Sequence, residues 1–392
     1  MIRSAKPVSP RCVSVSRPDD KATPGAAGPM HRSKNGHLRL ADRRADYDRF
    51  GISAVDVAEF EDGQRIGTER GRYEWWYFDA HLDDGATVVV VFFTKPNVSP
   101  NSPLAPRVTI NLTLADGRSF VKFLDTKPEL FDASKSTCDV RIGTNRFVGD
   151  LNRYHITATI EEISVDIEFT GDVPAWRPKS GHLYFGTVGQ EKLFAWLPSV
   201  PHGLANVRYT IGDEEHRASG SGYHDHNWGD VPMQTLMHNW YWARASVGPY
   251  TVIASYITAT AAYGYETQIV YMLAKDGKII ADDDAKVSFE MDRVATDSKT
   301  GKPVADLTRY TYHDANTRYV VSFEREKTIL QAIFTDRMPL LKRIVARLIG
   351  FDGAYHRFTG KVTIEKFEGE ARTETFEDQA IWELMYFGKA RR

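Results

Sequence analysis

The sequence predicts an all-β protein made of two successive halves, each a barrel or sandwich. Three observations carry that expectation. Short runs rich in Val, Ile, Thr and aromatic residues recur along the chain, punctuated by Asp-Gly turns. No helical pattern alternates with those runs, which speaks against a parallel α/β sheet. The chain has 392 residues, more than one core usually organises, and the strand pattern begins again after residue 230.

The elements follow in chain order. Residues 1–46 are poor in apolar residues and rich in Pro, Ser, Gly and Arg, so a disordered tail is expected there. The segment has no apolar core of the kind a secretion signal needs. RYEWWYFDAHL, the turn Asp83–Gly85 and ATVVVVFFTK form a hairpin pattern, and 107–124 repeats it around ADG. YHITATI and ISVDIEF alternate apolar with polar residues within 146–172. An irregular piece around Pro174, Trp176 and Pro178 precedes GHLYFGTV, KLFAWLPSV and ANVRYTIGD. The first half is expected over 47–222, a polar junction over 223–230 and the second half over 231–392. In that second half NWYWARASVG, PYTVIASYIT, RYVVSFERE and QAIWELMYF read as strands. One segment differs: DRMPLLKRIVARLIG places Leu340, Leu341, Ile344, Val345, Leu348 and Ile349 at helical spacing. An amphipathic helix is expected over 337–349, either plugging a barrel end or touching a membrane surface.

Composition narrows the function. With 50 Lys+Arg against 52 Asp+Glu there is no basic excess for nucleic acid. No window approaches the roughly eighteen apolar residues of a membrane span. The two cysteines, Cys12 and Cys138, form no CxxC pair and no disulfide framework, which suits a reducing, cytoplasmic location. GxSxG, GxGxxG and GxxxxGK[ST] are absent, so ordinary hydrolases, dehydrogenases and kinases are not favoured.

The densest chemistry is GSGYHDHNWGD, Gly220–Asp230. On a strand His224, His226 and Trp228 share one face, and Tyr223, Asp225 and Asn227 the other. His-x-His is a genuine metal spacing, but no third ligand is placed locally, and no metal is assigned. If the first set looks into an apolar chamber, His226 can move a proton, Asp225 can orient it and Trp228 can face a developing cation. The same residues could instead knit a domain boundary, satisfying buried backbone groups. EWWYF, Glu74–Phe78, carries the same ambiguity: Trp75 and Tyr77 share a face, with Glu74 and Trp76 on the opposite one. In HNWYW, His238 leads Trp240 and Trp242 on one face and Tyr241 on the other.

EWWYF, GYHDHNWG and WYWAR, in this order, resemble the carotenoid 1,2-hydratase (hydroxyneurosporene synthase) superfamily, which also contains kievitone-hydratase-like proteins and lipocalin-like Diels–Alderases. The resemblance covers about Tyr47 to Phe387 and implies two lipocalin-like domains in tandem. It implies catalytic roles for His226 and Trp228 through the family's HxW. The family's later Tyr-x-Asp falls on Tyr256-Ile257-Thr258, where threonine replaces the proton-donating aspartate.

The expectation is therefore a cofactor-independent enzyme acting on a hydrophobic unsaturated small molecule, a terpenoid, polyene or polyketide, between two domains. Cyclisation, pericyclic rearrangement and acid-catalysed addition to C=C are its candidate reactions. Carotenoid-type hydration and non-catalytic lipid or isoprenoid binding are the alternatives. Expected catalytic residues are His226, Asp225, Trp228 and Tyr256. Expected substrate contacts are Glu74, Trp75, Trp76, Tyr77, His224, His238, Trp240 and Trp242.

Overall fold

The computed structural model describes residues 37–96, 100–337 and 351–391. Two antiparallel sheets follow one another, thirteen-stranded and then nine-stranded. Each curls around its own core, a lipocalin-like arrangement. Alternation drives the curl: in Arg153–Ile160, Tyr154, Ile156, Ala158 and Ile160 are buried while Arg153, His155 and Thr159 are exposed. The inward sets of these strands meet as one apolar cluster holding Val90, Ile110, Ile156, Ile167 and Val207.

One topological rule serves both sheets. In the first, Tyr73–Leu82 pairs with Glu214–Gly229, bringing early and late strands together near mid-sheet. In the second, Met237–Val247 pairs with Ala371–Tyr386 in the same way. EWWYF thereby lies against HDHNW although the two are far apart in sequence. A third apolar cluster draws on the outer faces of both sheets, with Trp196 and Tyr223 from the first, Ile253, Ile257 and Met272 from the second, and Trp176 from a loop.

Two expectations need adjustment. Within the segment read as tail, Leu38–Leu40 is a strand paired with His182–Phe185, and Arg44–Phe50 is a helix ended by Gly51 in the left-handed region. Leu38 and Leu40 find apolar partners in the cluster that joins the sheets, which their polar sequence neighbours conceal. The segment 223–230 is no connector: through Gly229 it is the end of a sixteen-residue strand. The chain crosses between sheets afterwards, through Asp230–Pro232 and a short helical turn, Met233–Leu236. The helix expected over 337–349 lies outside the described residues.

Candidate active site

Pairing of Glu214–Gly229 with Tyr73–Leu82 sets His226 opposite Trp76, Asp225 opposite Tyr77 and Trp228 opposite Glu74. Alternation then divides both motifs into two sets. His224, His226, Glu74 and Trp76 enter the first barrel. Tyr223, Asp225, Asn227, Trp75 and Tyr77 face the second sheet.

The inward set forms a closed polar knot. Asp62, delivered by the 3-10 turn Glu59–Asp62, lies 3.0 Å from His224 Nε2 and accepts the Tyr154 hydroxyl at 2.5 Å. His224 Nδ1 is 2.8 Å from the Tyr77 carbonyl oxygen. His226 Nε2 is 2.7 Å from Glu74 Oε1, and its ring stacks on Trp76 at 4.6 Å. His224, His226, Glu74 and Trp76 are all 0 % exposed. Burial disfavours a charged Asp62, but His224 and His226 outweigh it and hold the carboxyl well below its usual range. Burial likewise opposes a charged His226, and the Asp62 and Glu74 carboxylates override it, raising the imidazole. Asp62, Cys138 and His224 bring ligand atoms within 4.8 Å of one another, a group that could hold a metal ion. The oxygen and nitrogen partners there already bond directly to each other.

The outward set lines a cavity of about 190 Å³ between the sheets. Trp75 and Phe194 wall it from the first sheet, Trp240, Trp242 and Ile257 from the second, and Met233 and Met237 from the crossover. Asp225 is its polar centre on one side. Asp225 Oδ2 accepts Trp196 Nε1–H at 2.8 Å and the Tyr223 hydroxyl at 2.8 Å, and Oδ1 accepts Asn227 Nδ2–H at 2.7 Å. Burial lifts its pKa to about 6 against the pull of those three donors. Glu383 faces it from the second sheet beside Trp240, accepting the Tyr355 hydroxyl at 2.7 Å. Burial raises Glu383 too, and the nearby Asp225 charge adds to the effect.

Tyr77, Trp242 and Glu383 also border a wider polar chamber of about 670 Å³, which holds Asp79, Arg244, Tyr355 and Arg357. Arg244 pairs with Asp79 and lies over the Tyr223 ring at 4.8 Å. Tyr77 donates to Asp79 at 2.8 Å.

Against the sequence-based expectation, the structure brings Asp225, Trp75, Tyr77, Trp240 and Trp242 to one cavity and leaves seven residues outside it. His224, His226, Glu74 and Trp76 are sealed in the first barrel. Trp228 packs on His226 at 4.8 Å and opens on a different groove with Arg49 and His182. Tyr256 stacks on Phe289 at 4.1 Å within the second barrel. His238 is held by the Lys389 carbonyl oxygen at 2.7 Å and by Asn239 at 2.6 Å. The expectation weighted the face that carries imidazole and indole, and the structure turns that face toward the first barrel while Tyr-Asp-Asn borders the cavity. Sequence reasoning missed Trp196, Glu383, Arg244 and Arg357. Glu383 had a signal: it is the lone charged residue in AIWELMYF, between Trp382 and Leu384, which point into the core.

Comparison with known proteins bears on this arrangement. A Diels-Alderase-like family model matches residues 150–339. Hydroxyneurosporene dehydrogenase of Chlorobaculum tepidum is 31% identical over 209 residues, 44% of this chain and 53% of that protein. Quinolone epoxide rearrangement protein asqO of Emericella nidulans is 25% identical over 198 residues, 46% of this chain and 53% of its own. The chain thus spans about half the length of these two curated relatives. Quinolone epoxide rearrangement protein penF of Penicillium thymicola is 22% identical over 321 residues, 76% of this chain and 85% of its own. In fold, a putative AttH from Nitrosomonas europaea superposes with a TM-score of 0.55 at 15% identity, covering 86% of this chain and 98% of that one. CghA in complex with Sch210972 does so with a TM-score of 0.51 at 15% identity, covering 91% and 99%. A Diels-Alderase-like model thus matches just under half of this chain, and the chain is similar to the hydroxyneurosporene and quinolone-epoxide proteins, in line with the superfamily its three motifs resemble.

Proposed function

We propose that this protein is a cofactor-independent enzyme of secondary metabolism that isomerises or cyclises a hydrophobic unsaturated or epoxidised small molecule in the cavity between its two sheets. One observation carries the reading: two carboxyls, the buried Asp225 and the half-buried Glu383, face one aromatic-walled cavity from opposite sheets. Their surroundings suit them to different tasks. Three donors aimed at Asp225 only partly offset the burial that lifts it to about 6, so near neutral pH it accepts a proton or balances positive charge. Glu383, raised by burial, is the proton donor to an alkene carbon or an epoxide oxygen. The faces of Trp75, Trp240 and Trp242 stabilise the cation that follows, by about 0.5–2 kcal/mol per well-placed ring. The cavity walls fix the conformer that closes, so the product is an isomer of unchanged mass.

The rearrangement named for the asqO and penF proteins supports proton-initiated chemistry over a purely pericyclic step. Thr258 stands where the resemblance expects an acid, so the proton for either reaction is assigned to Glu383 on another strand. A cytoplasmic location fits this reading, and among the described residues no helix is long and apolar enough to cross a membrane.

The test is turnover of unsaturated and epoxidised terpenoids, polyenes and polyketides, followed by mass spectrometry. Glu383→Gln and Asp225→Asn are each expected to lower kcat by about 10²–10⁴ and leave the fold intact. Full turnover in both would overturn the assignment, and a product heavier by one water would mark a hydratase.

A further inference from the structure

The chamber beyond the aromatic cavity contains a guanidinium whose N–H donors have no hydrogen-bond acceptor among the described residues. Arg244 is committed to Asp79 and stacked on Tyr223. Arg357, on Ala354–Glu368 opposite Glu383, is half-buried and lines the same chamber. The Asp79 and Glu383 carboxylates favour its charged form through space, yet among the described residues none hydrogen-bonds or ion-pairs with its guanidinium. The acids near it are engaged elsewhere: Asp79 by Arg244 and the Tyr77 hydroxyl, Glu383 by the Tyr355 hydroxyl. A guanidinium presents five N–H donors in a planar fork, and keeping it out of bulk water without a partner is costly. A cost kept inside a cleft is removed when a ligand supplies the missing acceptor.

We infer that Arg357 is the anchor for a carboxylate or similarly planar anionic group on the substrate, whose apolar unsaturated body fills the cavity walled by Trp75, Trp240 and Trp242. The inference rests on the proposed function only in taking this cleft as the substrate site. Tyr77, Trp242 and Glu383 border both spaces, so a single molecule can reach from one to the other. A guanidinium meets a carboxylate through two parallel hydrogen bonds, which fixes direction as well as affinity. The substrate class is thus narrowed to amphipathic acids: an unsaturated hydrocarbon or polyketide chain ending in an anionic head. The headgroup on Arg357 sets which carbon or oxygen of the chain stands before Glu383.

Fluorescence titration with cis-parinaric acid, a conjugated polyene carboxylic acid, and with its methyl ester tests this without requiring the natural substrate. The wild-type protein is expected to bind the acid at least tenfold more tightly than the ester. Arg357→Gln is expected to abolish that preference with ester affinity unchanged, and Arg357→Lys to retain part of it. Equal affinity for acid and ester in the wild-type protein would overturn the anchor, even if Arg357→Gln fails to fold. Such a result would leave the catalytic reading standing, because turnover by the Glu383 and Asp225 variants decides that separately. Absence of saturable binding of either compound would overturn the anchor together with the cleft as a site for lipophilic molecules.

Discussion

Asp225 couples its environment to stability with a definite sign. Burial raises its pKa from 3.8 to about 6, so between those values the folded protein holds a proton that the unfolded chain has released. The stabilisation is complete below about pH 4 and is lost as pH climbs through 6. Asp225→Asn cannot lose that proton, so its stability relative to wild type is expected to rise by roughly 3 kcal/mol between pH 4 and pH 7. Urea melts of both proteins at the two pH values measure this, and a difference independent of pH would contradict the burial argument. His226 is raised as well, so its contribution is likewise lost as pH climbs, but here removal of the side chain destabilises. It answers Glu74 directly and Asp62 at longer range, in a space closed to solvent. His226→Ala strips those buried carboxylates of a partner and is expected to cost about 3–5 kcal/mol of stability. Molecules that remain folded should keep their kcat, read from initial rates scaled to the folded fraction. A loss of kcat with stability unchanged would return catalysis to the barrel interior.

Strand alternation made much of the fold legible in the sequence. Reading GYHDHNWG and EWWYF with period two sorted every side chain onto its correct side, and the register confirms both sets. What alternation cannot reveal is which side faces a cavity, because that depends on where the second sheet lies. The glycines of GSGYHDHNW read as boundary punctuation, yet they serve a strand interior. A Cβ on Gly220 would stand 2.0 Å from the His81 carbonyl oxygen and 2.7 Å from Leu82 Cα, so the neighbouring backbone approaches too closely for any side chain. Gly220→Ala is expected to destabilise by about 1–3 kcal/mol through strand displacement, measured as a lowered Tm. An unchanged Tm would mean that the strand pair is more loosely matched than its register implies. Residues Leu38–Leu40 were hidden for a related reason, since three residues carry too little periodicity to stand out from a polar tail.

Across the whole molecule, both sheets solve one problem in the same way: early and late strands meet, and their outer faces turn toward the partner sheet. The candidate site is the seam where these outer faces face each other. This explains why its acids come from Glu214–Gly229 and Ala371–Tyr386, and why no local motif contains both. The barrel interiors are filled, the first by apolar side chains and the His-Asp-Glu knot, the second by Tyr241, Tyr310, Phe323 and Trp382. The cavities bordered by Asp225 and Glu383 lie between the sheets, so the proposed chemistry stands apart in position from the buried knot. Photoaffinity labelling with a diazirine-bearing polyene fatty acid, mapped by peptide mass spectrometry, tests that separation most directly. The account predicts adducts within 223–242 and 381–385, at the residues bordering Asp225 and Glu383, with competition by unlabelled cis-parinaric acid. Adducts confined to the inward residues near Asp62, Phe147 and Tyr154 would contradict it.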